Sequence, residues 1–89
     1  MRLLWTTQAW EDYLYWQGAD QKILATINTL IKNIRREPFR GLGKPEPLKH
    51  ALQGWWSRRI TLEHRLVYRV SGSGSAQLIE IVSCRYHYE

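Results

Sequence analysis

Cysteine occurs once in the 89 residues, as Cys84, so no internal disulfide can form and the core must hold without covalent staples. Such a chain suits a reducing compartment, and the cytoplasm is the expected location. No apolar run approaches the roughly 20 residues of a membrane-spanning helix, and the N-terminus carries no secretory leader pattern. His50, His64 and His87 lack paired carboxylate or cysteine neighbours at ligand spacing, so no metal site is expected. Gly41-Leu42-Gly43 lacks the rest of a phosphate-cradling loop, and a chain this short has little room for a deep cofactor cleft. No cofactor is expected.

What the chain does have is positive charge, unevenly placed. Thirteen Lys and Arg stand against eight Asp and Glu, a formal net charge of +5. Residues 1–37 hold five bases and four acids, whereas residues 38–89 hold eight bases and four acids, so +4 of the net charge lies in the second part. Clustered arginine favours a polyanionic partner, nucleic acid before others, through phosphate neutralisation and counterion release.

The expected organisation is one domain over residues 1–89. Residues 2–6 read as a short strand, with Thr7 capping the helix that follows. Trp10, Tyr13, Leu14 and Trp16 recur at three- and four-residue steps and predict a helical stripe over 8–17, closed by Gly18. Asp20 caps a second helix in which Ile23, Ile27, Leu30, Ile31 and Ile34 form one apolar face, with Arg35 and Arg36 at its negative pole and Pro38 beyond it. Residues 39–50, with two glycines and two prolines, predict a loop with at most one helical turn. Three strand-like runs follow, over 55–60, 63–70 and 77–84, the last two joined by a Gly/Ser-rich tip. The fold class is α+β: an N-terminal strand, two helices packed on one sheet face, then a three-stranded antiparallel meander in one sheet.

Strand alternation sorts the meander into two faces. Leu66, Tyr68 and Val70 suit the core, while Glu63, Arg65, Val67 and Arg69 face outward. A two-residue turn at Thr61-Leu62 would set Arg58 directly across from Arg65, a like-charge pair that is destabilising unless an anion lies between. Lys44, Lys49, Arg58, Arg59 and Arg85 are the candidate nucleic-acid contacts.

The tail Cys84-Arg85-Tyr86-His87-Tyr88-Glu89 adds a proton-transfer group, a phosphate fork and stacking rings. Cutting RNA without a metal requires a base for the 2′-hydroxyl proton, a cation for the phosphorane charge and an acid for the 5′-oxygen. Glu46, Arg65 and His87 suit these roles, with Tyr88 as a stacking platform. Glu46 lies between Pro45 and Pro47, which restrict its backbone. By alternation, Tyr86 points to the opposite face, towards the core.

Several blocks resemble a known family. Trp10-Glu11-Asp12-Tyr13-Leu14-Tyr15-Trp16, Gly43-Lys44-Pro45-Glu46-Pro47-Leu48-Lys49-His50, Trp56-Ser57-Arg58-Arg59-Ile60, Glu63-His64-Arg65-Leu66-Val67-Tyr68 and Cys84-Arg85-Tyr86-His87-Tyr88 are similar to the YoeB toxins of the RelE/ParE superfamily. The resemblance implies a RelE-like fold and a toxin of a type II toxin-antitoxin system. It further implies a ribosome-dependent mRNA endonuclease that cuts the codon in the A site without a metal. On the same resemblance, Glu46 is the general base, His87 the general acid, Arg65 the charge stabiliser and Tyr88 an mRNA-positioning residue, with Lys49 and Arg59 near the site. The implied partners are mRNA, the ribosome, a YefM-like antitoxin and a second copy of the chain. Two departures stand out: the tip over 71–77 is longer than the family pattern, and Glu89 sets an extra carboxylate beside His87. The alternative is a non-catalytic inhibitor that binds the ribosome or, like the ParE branch, gyrase. That branch lacks the Glu, Arg and His set retained here.

Overall fold

The computed structural model describes residues 1–87; Tyr88 and Glu89 lie outside the described residues. The elements run β1 (Arg2–Trp5), α1 (Thr7–Ala19), α2 (Gln21–Arg36), β2 (Glu46–Pro47), β3 (Trp56–Arg59), β4 (Arg65–Ser71) and β5 (Leu78–Ser83), with short 3-10 turns at His50–Leu52 and Gly74–Ala76. The five strands form one mixed sheet in the order β1-β5-β4-β3-β2. The α+β class is as expected, but the sheet is larger than a strand plus a three-stranded meander. The proline-flanked loop contributes β2 at one edge, and β1 pairs parallel to β5 at the other. No described helix is long and apolar enough to cross a membrane.

Helix α1 begins one residue earlier than its sequence suggests. Thr6, not Thr7, is the cap: its backbone is extended and its hydroxyl accepts the N–H of Ala9. The same hydroxyl donates to Val82 O on β5, which ties the cap to the far strand. Gly18 lies within the helix, whose end is set by Asp20. One carboxylate oxygen of Asp20 then accepts the N–H groups of Lys22 and Ile23 and opens α2, so the two helices meet at a single shared residue.

The buried face of α1 is Ala9, Asp12 and Trp16, whereas Trp10 and Leu14 are about half exposed at 47% and 46%. The aromatic stripe is therefore rotated towards the rim, where Trp10 packs on Trp5 and Tyr13. In α2 the apolar face is as the periodicity predicts: Ile27, Leu30, Ile31 and Ile34 are buried against Leu66, Tyr68, Ile79 and Ile81 of the sheet.

The β3–β4 register differs from that of a two-residue turn. Arg59 pairs with Arg65, and Arg58 pairs with Leu66. The reason is local. Thr61 Oγ1 accepts the N–H groups of both Glu63 and His64, while the carbonyl of His64 accepts those of Ile60 and Thr61, closing a longer loop. A one-residue change of register exchanges the faces of the two arginines. Arg58 thus points into the core beneath α2, fully buried.

There, Arg58 spends all of its N–H groups. Nε donates to Tyr68 Oη, Nη1 to Asn33 Oδ1 and Leu42 O, and Nη2 to Glu37 O and Arg40 O. Tyr68 donates onward to Pro38 O at 2.6 Å. One guanidinium therefore fastens the segment after α2 to the sheet. Gly43 (φ 79) makes the next contact possible, since a Cβ there would come within 2.8 Å of Leu30 Cδ2. Its carbonyl accepts Arg59 N–H at 2.7 Å, which delivers the chain into β2.

Candidate active site

The face of the sheet away from the helices carries three of the expected site residues, Glu46, Arg59 and Arg65. Cross-strand partners share a face, and the rows run Glu46 to Ser57 to Val67 to Ser83, with Arg59 to Arg65 one step along. Glu46 and Arg65 therefore stand on one face, two strands apart, a lateral separation of about 10 Å at the usual strand spacing.

Arg65 is nearly buried, and its Nη1 donates to the carbonyls of Thr61, Leu62 and His64 at 2.8, 3.4 and 3.2 Å. This pins one corner of the guanidinium on the loop. Its Nε and Nη2 have no partner among the described residues. Arg59 lies opposite, exposed, so the like-charge pair expected of Arg58 and Arg65 is formed instead by Arg59 and Arg65. Directly opposed cations are unfavourable without an anion between them.

The tail approaches the same corner. After β5 ends, Cys84 is locked to α1: its N–H donates to Asp12 Oδ2 at 3.0 Å, and its carbonyl accepts Trp16 Nε1–H at 2.9 Å. Burial, aided by the Asp12 carboxylate, pushes the Cys84 thiol up to about 12, so it is an inert packing group. Two residues on, the Tyr86 carbonyl accepts Arg65 N–H at 3.0 Å. His87, exposed, follows directly and is thereby held next to the Arg65 backbone.

Tyr86 is 60% exposed and not part of the core. Its left-handed φ of 66° ends the strand alternation that pointed its ring inward. Arg85 packs its guanidinium 3.5 Å from the Tyr15 ring centroid and 4.5 Å from that of Tyr86, with Nε buried and unpartnered. Its place is between rings on the α1 side, where it braces the turn.

Backbone strain is concentrated here as well. The three non-glycine residues with positive φ among the described residues are Lys44 (51°), His50 (58°) and Tyr86 (66°). They lie, respectively, two residues before Glu46, directly after Lys49 and directly before His87. Strained backbone of this kind persists where surrounding contacts over-determine it, characteristically at functional sites. Glu46, Lys44 and Lys49 are exposed, and an open cavity of about 480 Å³ is lined by Glu46, Pro47, Leu48, Lys49 and His50. No group of three or more potential metal ligands occurs among the described residues. The expected roles of Tyr88 and Glu89 fall outside the described residues.

Three supporting residues are not evident from sequence reasoning: Asp12, Thr61 and His64. Asp12 had a readable signal, an acid at helical spacing between Ala9 and Trp16 on an otherwise apolar stripe. Thr61 and His64 depend on the loop geometry and left no such sign.

Comparison with known proteins agrees with this architecture. Residues 5–88 match the family described as the YoeB-like toxin of bacterial type II toxin-antitoxin systems. The chain is 58% identical to the toxin YoeB of Escherichia coli K12 over 88 residues, covering 99% of this chain and 100% of that protein. A YoeB/ParE toxin structure from Agrobacterium tumefaciens superposes with a TM-score of 0.94 at 58% identity, covering 99% of this chain and 100% of the other. YoeB from Staphylococcus aureus has been solved as a dimer (TM-score 0.87, 47% identity, 99% and 98% coverage) and in complex with YefM (TM-score 0.86, 46% identity, the same coverage).

Proposed function

The chain belongs to the YoeB-like toxins of bacterial type II toxin-antitoxin systems, and on that premise we propose that it is a ribosome-dependent mRNA endonuclease acting without a metal. The observation that carries the proposal is the register of β2, β3 and β4. It sets Glu46 and Arg65 on one face, with the turn bearing His87 fastened to Arg65.

In this reading Glu46 removes the proton of the 2′-hydroxyl, whose oxygen attacks the adjacent phosphorus. Arg65, with its Nε and Nη2, stabilises the charge that develops on the phosphorane oxygens. His87 donates a proton to the departing 5′-oxygen. The products are a 2′,3′-cyclic phosphate upstream and a 5′-hydroxyl downstream. Tyr88 positions the mRNA by stacking, and Lys44, Lys49 and Arg59 hold phosphates along the exposed edge. Arg58 takes no part in RNA contact, because its donors are committed in the core.

We further propose that the protein works in the cytoplasm, forms a homodimer and is neutralised by a YefM-like antitoxin. The dimer and the YefM complex of the Staphylococcus aureus relative support this. The experiment is end-mapping of mRNA in a reconstituted translation system. The nuclease reading expects codon-phased cuts that require ribosomes and fail when the scissile nucleotide carries a 2′-deoxy sugar. Growth arrest that survives in a folded Glu46→Ala, His87→Ala double variant would instead support inhibition by occupancy.

A further inference from the structure

The last turn of the described chain is gripped from His64, just before β4, and from Arg65, the first residue of β4. Tyr86 N–H donates to His64 Nδ1 at 2.8 Å, and Tyr86 O accepts Arg65 N–H at 3.0 Å. The His64 ring is wedged between two aromatic rings, edge-on to Trp16 with centroids 4.8 Å apart and tilted against Tyr86 at 5.9 Å. Trp16 also holds Cys84 O through its indole N–H. Tyr86 itself has a left-handed backbone that an aromatic residue rarely adopts, so an outside contact must maintain it.

We propose that His64 is a positioning residue for the cleavage reaction, holding the His87 turn in register with Arg65 through the lone pair of its Nδ1. The inference rests on the nuclease reading above, and it concerns a residue that stands outside the set assigned to base, acid and charge stabiliser. His64 precedes the guanidinium residue directly, and His87 follows Tyr86 directly. One side-chain bond therefore connects the two segments that must act on opposite sides of the same phosphate.

The bond fixes the state of the imidazole. To accept from a backbone N–H, Nδ1 must be unprotonated, so the ring is the neutral tautomer with its proton on Nε2. Protonation at Nδ1 would set N–H against N–H and release the turn. Ionisable groups on the elements packed around it are Arg65 and Glu63 on its own segment, Arg85 and His87 on the tail, and Asp12 on α1. The Asp12 carboxylate is already committed to Cys84 N–H and Gln8.

The test compares three proteins, wild type, His64→Leu and His64→Asn, on ribosomes programmed with a defined mRNA, and follows the Tyr86 amide by NMR through a pH titration. Asn places a carbonyl oxygen near the site of Nδ1 and does not titrate. His64→Leu is expected to lower kcat by roughly 10- to 100-fold with little change in KM, the scale of a small misplacement of reacting groups. His64→Asn is expected to restore most of kcat and to move the acid limb of the pH profile to lower pH. The Tyr86 amide resonance should follow the protonation of His64 in the wild type and stay fixed in the Asn variant. Wild-type kcat in a folded Leu variant, or an Asn variant as impaired as Leu, would overturn the proposal, as would a Tyr86 resonance indifferent to His64. Should the wild type cut no mRNA, the nuclease reading fails, and the NMR titration alone decides whether His64 holds the turn.

Discussion

At the residue scale, two neighbouring arginines have opposite fates because of one step of register. Arg58 sits in the core with all its donors used, and Arg59 sits exposed on the opposite face, across from Arg65. Arg58→Met should lower stability by about 3 kcal/mol or more, since several carbonyls and the Tyr68 hydroxyl lose a charged donor in a buried setting. Arg59→Met should leave the thermal midpoint nearly unchanged and weaken ribosome binding; denaturant titration and binding assays on both variants separate the two effects. Lysine at position 58 should not rescue, because a point charge cannot replace a five-donor fork. For the proposed catalytic set, Glu46→Gln and His87→Gln should each reduce cleavage by about 10²- to 10⁴-fold at an unchanged thermal midpoint, measured in single-turnover reactions. The outward face of Arg65 was legible from strand alternation alone. The exchange of Arg58 and Arg59 was not, since it follows from a threonine hydroxyl that lengthens a loop, and Thr-Leu carries no strong turn signal.

At the scale of elements, α2 is the part that local pattern determines best. Its Asp20 cap, its apolar face and its termination before Pro38 are all set by nearest neighbours in sequence. Leu30→Ala should cost roughly 2–5 kcal/mol, because Leu30 is 3% exposed and packs on both the sheet and the Gly43 loop. Chemical denaturation at constant m-value is the appropriate measure. Helix α1 was less legible. Its aromatics follow helical spacing, yet the face that turns inward is chosen by Asp12 and Trp16 reaching the Cys84 backbone, a contact across 72 and 68 positions. The edge strands β1 and β2 were illegible as partners for the same reason. β2 is two residues long, and the parallel pairing of β1 with β5 joins opposite ends of the chain.

For the whole molecule, alkaline pH is expected to weaken the fold. Burial raises the Cys84 thiol from an ordinary 9.0 to about 12 and raises the Tyr68 hydroxyl above 10.0, the latter partly offset by Arg58. Both groups keep their protons longer in the folded chain than in the unfolded one. Their contribution is intact below about pH 9 and is lost as the pH rises towards 12, by at most about 1.4 kcal/mol per pH unit for each group. Thermal melts from pH 8 upward should show this decline, and Cys84→Ala should flatten its first part. The net charge of +5 adds a second expectation: ribosome association should weaken steeply as salt rises, whereas stability, carried by the apolar core, should change little.

The parallel pairing of β1 with β5 also bears on how the protein is made. Arg2 N–H and Thr6 Oγ1 find their acceptors in Gln77 O and Val82 O, so the first strand emerging from a ribosome has no neighbour until β5 is translated. At ordinary elongation rates of ~5–20 residues per second, that wait lasts seconds, during which the sheet cannot close. The turn at Tyr86 that His64 and Arg65 hold is translated later still. On the nuclease reading proposed above, a nascent chain cannot assemble the site before β5 and the turn at Tyr86 have been made.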